Sequence, residues 1–205
     1  MSRFKRVGGL SRLSDKGVAR GGILDFVGYA QGSTSSLDIS HIDIQPGDLI
    51  LGFASQTQAG SSYPVPGPPP GYTVIATAEM SSAKMAAFYK LSDGTETNFT
   101  PAPAMSIGAV LVLRGVSGIG NFTTNATGTG QSPIIKPASI SEGSFLVFGF
   151  YRASGLRAAG FAWLANTVPM VAFTPTSELA NFYMEASGSA LWETSGPNIA
   201  LEILA

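Results

Sequence analysis

The sequence predicts an all-β protein: a jelly-roll-like β-sandwich of two degenerate halves, preceded by an extended basic N-terminal arm. Three observations predict it. Short apolar segments of strand length recur from residue 23 to the C-terminal end, divided by Gly, Pro, Ser, Asn and Thr. Helical periodicity is weak, and 25 Gly with 13 Pro leave helix a minor role. The segments also echo one another. "IQPGDLILGFASQ" (44–56) is matched by "ISEGSFLVFGFYR" (140–152), "GYTVIAT" (71–77) by "GFAWLAN" (160–166), and "AAFYKLSDG" (86–94) by "ANFYMEASG" (180–188). The spacing between matched segments drifts along the chain, as in a worn duplication and unlike a solenoid. Two similar halves are best packed face to face.

Residues 1–22 form the arm and residues 23–205 the sandwich domain. Arg3, Lys5, Arg6, Arg12, Lys16 and Arg20 face only Asp15 in the first twenty residues, half of the 12 basic residues of the chain. So cationic and Gly-rich a segment cannot bury enough apolar area to offset its ordering entropy alone. Phe4, Val7, Leu10 and Leu13 are spaced among the cations, which suits a peptide laid into a neighbour's groove or along its strand edge, with charge at the rim. Partner-binding residues of the arm are therefore Arg3, Phe4, Lys5, Arg6, Arg12, Lys16 and Arg20. The remainder is net acidic and would repel a nucleic-acid backbone, so a protein partner is expected and nucleic acid is not.

Strands are expected at 23–30, 35–45, 48–55, 72–79, 83–91, 106–114, 144–151, 160–166, 169–174, 179–186 and 198–204. Within 35–45 the apolar positions slip from Leu37 and Ile39 to Ile42 and Ile44, which a period-two strand cannot do without flipping face. A bulge or break near Ser40-His41 follows. "DLILGF" and "SFLVFGF" are apolar on both faces, as central strands covered on both sides or strands at a subunit contact would be. "SSYPVPGPPPGYT" (61–73) holds five prolines, cannot be a central strand and should project as a stiff loop.

Composition narrows the chemistry. There is no cysteine, hence no disulfide framework and no thiolate metal site. The longest apolar runs, near 107–113 and 145–151, reach strand length and fall short of the roughly 20 residues of a membrane helix. No run at the amino terminus suits a signal-peptide core, so no membrane insertion is expected. A single histidine, His41, has no partners for a charge-relay triad or a His-based metal centre, and reads as a structural or surface residue. The 13 acids are scattered singly, mostly beside Gly, Ser or Thr, and read as surface solvation; Asp48 after Pro46-Gly47 and Asp93-Gly94 read as turn and hairpin chemistry. "DISHID" (38–43) is too sparse for a calcium loop. Asn98, Asn121 and Asn125 each begin an Asn-x-Thr match that carries no weight without a secretion signal. No catalytic residue, metal or cofactor is assigned.

One order of landmarks goes further. Pro46-Gly47-Asp48 before an apolar strand, "PPPGYTVIAT" (68–77), "FYKLSDGTET" (88–97) and "AVLVLRGVSG" (109–118) resemble a module of tailed-bacteriophage structural proteins. There the run is Pro-Gly-Asp and strand, Pro-Pro-Gly-Trp-Thr, Tyr-Tyr-Lys, Gly-Ser-Glu, then strand and Tyr-Arg-Gly-Val. Tyr72 stands where that family usually has Trp, and Leu113-Arg114-Gly115 where it has Tyr-Arg-Gly. The resemblance spans about residues 24–205 and excludes the arm. It implies a β-sandwich, a place in the virion or tail, and no shared catalytic residue.

Arm and resemblance together lead to the expectation of a non-enzymatic accessory capsid protein, of the decoration, cement or head-fibre kind. It would be assembled in the bacterial host cytoplasm and docked on other virion proteins, major capsid or tail. A homo-oligomer is expected, a trimer among the symmetries open to it. The alternative is a tail-associated module recognising host surface polysaccharide, for which Tyr63, Tyr72 and Trp163 would supply stacking faces near the proline-rich loop. A glycosidase is a distant third.

Overall fold

A computed structural model of the chain describes residues 25–32, 35–56, 64–80, 83–102, 105, 107–126, 132–135, 139, 141, 144–152, 155–162, 190–194 and 197–204. The arm, and the strands expected at 169–174 and 179–186, lie outside the described residues. Among the described residues the protein is all-β and sandwich-like in character, with antiparallel sheets and no helix. The strands are β1 (Asp25–Gly32), β2 (Leu37–Asp38), β3 (Leu49–Gln56), β4 (Thr73–Glu79), β5 (Lys84–Leu91), β6 (Asn98–Phe99), β7 (Ile107–Arg114), β8 (Gly118–Asn125), β9 (Ser132–Ile135), β10 (Phe145–Arg152), β11 (Gly155–Ala162), β12 (Ala190–Thr194) and β13 (Asn198–Leu204).

The first sheet runs β1-β7-β3-β5-β4 and the second β11-β10-β13-β8, so each sheet is drawn from one half of the chain. The pairing repeats between the halves. Leu49↔Leu113 and Leu51↔Leu111 join β3 to β7, as Phe145↔Ile203 and Val147↔Leu201 join β10 to β13. On the far side of β7, β1 carries a bulge between Phe26 and Gly28. On the far side of β13, β8 carries one at the matching place, opposite Glu202. The small ladder β2-β6 likewise has its counterpart in β9-β12. β4 is the addition: it extends the first sheet beyond β5, with a third bulge between Val74 and Ala76. Of the matched segments 71–77 and 160–166, the first runs into β4 and the described part of the second, 160–162, lies in β11, which pairs with β10 as β5 pairs with β3.

Alternation along the strands splits the apolar residues into two layers. Leu49, Leu51, Phe53, Met85, Leu111 and Leu113 of the first sheet share one buried cluster with Val147, Ile199, Leu201 and Ile203 of the second. On the other face of the first sheet, Ile50, Ala54, Ala86, Phe88, Val110 and Val112 meet Leu37, Ile39, Ile42, Phe99 and Met105. The unbroken apolar run of β3 is thereby explained: it is a central strand covered on both sides. Each buried Phe or Leu contributes roughly 2–3 kcal/mol of transfer free energy.

Close approach needs two glycines, in opposite senses. A Cβ on Gly52 would collide with the Phe99 ring, and one on Gly149 with the Phe53 ring. By the pairing correspondence, Phe53 and Gly149 hold equivalent positions in β3 and β10. One half supplies the ring and the other the space for it.

Two expectations are corrected. Residues 35–45 are no single strand: β2 ends at Asp38, the Ile42 amide donates to the Ile39 carbonyl at 3.0 Å, and the turn lets Leu37, Ile39 and Ile42 all enter the same cluster. This is the break anticipated near Ser40-His41. The described part of the proline-rich loop, 64–72, lies on the first sheet instead of projecting. Pro66 and Pro69 are buried, Gly67 and Ala102 exchange backbone bonds of 2.8 and 3.3 Å, and Val65 and Tyr72 pack on the outer cluster.

Candidate functional site

The landmark residues converge on one end of the first sheet. Pro46-Gly47 forms a tight turn before β3: the Asp48 amide donates to the Gln45 carbonyl at 3.1 Å, and Gly47 has φ of 91°, open to glycine and costly for other residues. The Asp48 side chain closes the same turn by accepting from the Gln45 amide at 2.8 Å. It then reaches across the sheet to β7, where Arg114 Nε and Nη2 each donate to it at 2.8 Å in a two-pronged pair. Arg114 also donates to the Asp43 carbonyl at 3.2 Å. Burial alone would push the Asp48 carboxyl up, but the Arg114 guanidinium and the Gln45 amide hold it below its ordinary value.

The loop after β5 locks onto this turn. Gly47 donates to the Ser92 carbonyl and Ser92 to the Asp48 carbonyl, both at 2.8 Å, while Gly94 lies against the Pro46 ring. Glu96 folds back to accept from the Ser92 hydroxyl and to pair with Lys90 Nζ at 2.6 Å. Lys90 is raised chiefly by its bond to Glu96, and its stem runs under Gly71 of the Pro-Pro-Gly turn. Asp93-Gly94 is turn chemistry without a hairpin, since Asp93 accepts from the Thr95 amide at 3.0 Å while the chain leaves the sheet for β6. Pro-Gly-Asp, Pro-Pro-Gly-Tyr, Tyr-Lys and Arg-Gly are therefore parts of one mechanical joint.

The second half closes its equivalent turn by different means. The Ser144 amide donates to the Ser141 carbonyl at 3.2 Å, as Asp48 does to Gln45. The carboxylate comes from Glu202 of β13, which is 1% exposed. It accepts from the Ser144 hydroxyl at 2.7 Å and the Ser141 amide on one oxygen. On the other it accepts from the Asn121 amide at 2.9 Å and Asn121 Nδ2 at 3.3 Å. The bulge in β8 turns the Asn121 amide toward it, and Gly120 leaves the space in which the carboxylate lies. Burial pushes Glu202 up, yet the Ser144 hydroxyl and the amides of Asn121 and Ser141 outweigh it and hold the group at about 2.

Asp48 serves the turn, as expected, and is buried as well; the expectation of surface solvation is corrected for Glu202, which is buried, and for Glu96, whose side chain is 6% exposed. Glu202 was legible as an acid within the apolar strand "IALEIL", a pattern that solvation does not explain. Of the residues assigned to glycan contact, Tyr72 packs edge-on against Phe99 with ring centroids 5.6 Å apart, and its hydroxyl is buried without a hydrogen-bond partner. Burial, then the nearby Glu96 charge, raises its ionisation above the ordinary value. Tyr63 and Trp163 lie outside the described residues, as do Arg3, Phe4, Lys5, Arg6, Arg12, Lys16 and Arg20. His41 is exposed on the turn after β2. Among the described residues, no three His, Asp or Glu side chains gather as metal ligands would.

Comparison with protein-family models, with curated proteins and with solved structures finds no match.

Proposed function

We propose that the chain is a non-enzymatic structural protein of a tailed-phage virion: an accessory capsid subunit, of the decoration, cement or head-fibre kind. It docks through the basic arm of residues 1–22 and presents a jelly-roll-like sandwich of two degenerate halves. The observation that carries this reading is the joint at the end of the first sheet. Residues that resemble the phage module in order along the sequence, Pro46-Gly47-Asp48, Gly71-Tyr72, Lys90 and Arg114, are brought together in space, where they brace turns against strands. The carboxylates Asp48, Glu96 and Glu202 are each engaged in such bracing. A rigid body so built suits a part added to an existing shell, with the arm's cations supplying attraction and register to an acidic neighbour.

The test is loading onto particles. Deleting residues 2–22 from the full chain should abolish incorporation while leaving the β-body folded, and incorporation of the intact chain should fall steeply as salt rises. Normal loading of the truncated chain overturns the reading. Polysaccharide recognition draws on Tyr72 among the described residues, and its ring is committed to Phe99; the docking reading is preferred on that ground.

A further inference from the structure

We propose that Glu202 is an acid-released latch, whose loss of charge frees the bulge of β8 at Asn121, and Ser141 and Ser144 in the connector before β10, while the β8–β13 ladder and the layer between the two sheets stay closed. One carboxylate ties together three pieces of chain, beside the backbone ladder that already pairs β13 with β8. The carboxylate rises from the outward side of β13, since its neighbours Leu201 and Ile203 enter the inner cluster. It binds Asn121 of β8, and Ser141 and Ser144 of the connector. Asn121 Nδ2 in turn donates to the Ser139 carbonyl at 3.2 Å, so the tie extends along the connector.

All its donors are neutral. From β8 it faces Gly120 and Asn121, from the connector Ser141 and Ser144; across the ladder its partner in β10 is Leu146, and β9 carries no charged residue. None of these titrates in the acid range, and among the described residues no ion pair involves Glu202. Among the described residues around the tie, the response to acid is therefore that of one group. Protonation beside Asn121 must break a bond, and beside Ser144 it turns the hydroxyl from donor to acceptor while the protonated oxygen holds the Ser141 amide more weakly. The matched position in β7 is Val112, buried in the outer apolar cluster, so the first sheet has no such tie.

The sign follows from the lowered group. Glu202 is charged in the fold down to about 2, against an ordinary value of 4.5, so the tie is complete above pH 4.5 and is lost as pH falls toward 2. In the full chain, exchange of the Asn121 and Ser141 amides, followed by NMR from pH 6 downward, should accelerate about tenfold or more beyond the intrinsic rate across that window. The Leu51 and Leu111 amides should keep their protection. Glu202→Gln keeps one acceptor oxygen and should show at least one of the Asn121 and Ser141 amides already exposed at pH 6, with no acid step. If that variant does not fold, Ser144→Ala keeps the carboxylate, removes one donor, and should move the step upward by roughly half to one pH unit. Protection at Asn121 and Ser141 that persists to pH 2, loss that coincides with Leu51 and Leu111, or an unmoved step in Ser144→Ala overturns the latch.

Discussion

The two halves of the molecule solve one problem with different chemistry. Each must fix a turn that leads into a central strand, Gln45 to Asp48 before β3 and Ser141 to Ser144 before β10, and each does so with a buried carboxylate. In the first half Asp48 sits in the turn itself and is met by a cation across the strands. In the second the turn supplies hydroxyl and amide donors, and the carboxylate comes from the last strand. An ion pair tolerates partial solvent contact, and Arg114 is 38% exposed. A lone buried carboxylate needs a full set of donors, and Glu202 has one. The contrast shows that two halves with matching pairing and bulge positions can be braced by different side chains.

The largest effect should come from the place where the halves are complementary and not merely different. Phe53→Ala removes a fully buried ring and should cost about 4 kcal/mol in chemical denaturation. If Phe53 and Gly149 are a matched ring and space, Gly149→Ala should be destabilising alone and much less so in the Phe53→Ala background. Strict additivity of the two would break the comparison.

Next in size is the ion pair. Arg114→Ala leaves the buried Asp48 carboxylate with the Gln45 amide and should cost about 2 kcal/mol at neutral pH, discounted for the exposed guanidinium. Because Asp48 is held below its ordinary 3.8, this contribution is present above that value and fades as pH falls below it. Denaturation at pH 7 and pH 3 should show the difference between Arg114→Ala and the parent chain shrinking. An unchanged difference would mean the pair does not set the Asp48 charge.

Smallest is the turn. Gly47→Ala introduces a Cβ with nothing within 4 Å, so only the positive φ opposes it, and the cost should be about 1 kcal/mol. A larger loss would show that the joint at Asp48 and Ser92 depends on the turn's shape beyond its own strain.

The strands that read clearly in the sequence, β3, β5, β7 and β13, are those whose own side chains fill a buried layer. β6 has two residues, β9 contains Pro133, and β8 is "GIGNFTTN", polar and rich in glycine; these are strands because a partner pairs with them. β11 was expected at 160–166, where the apolar run lies, but Arg152↔Gly155 starts its pairing earlier, straight after β10. The Pro46-Gly47-Asp48 turn was legible because it is local. Asp48 with Arg114, 66 positions apart, and Glu202 with Asn121, 81 apart, were not, since only the sheet register brings them together.

The bulges opposite Val112, at Ile75 and opposite Glu202 fall on β1, β4 and β8, three of the four rims of the two main sheets. A kinked rim offers its amides and carbonyls out of step with any straight backbone laid beside it. Along those three rims, neighbouring copies can therefore sit shoulder to shoulder without their sheets fusing into one continuous ribbon.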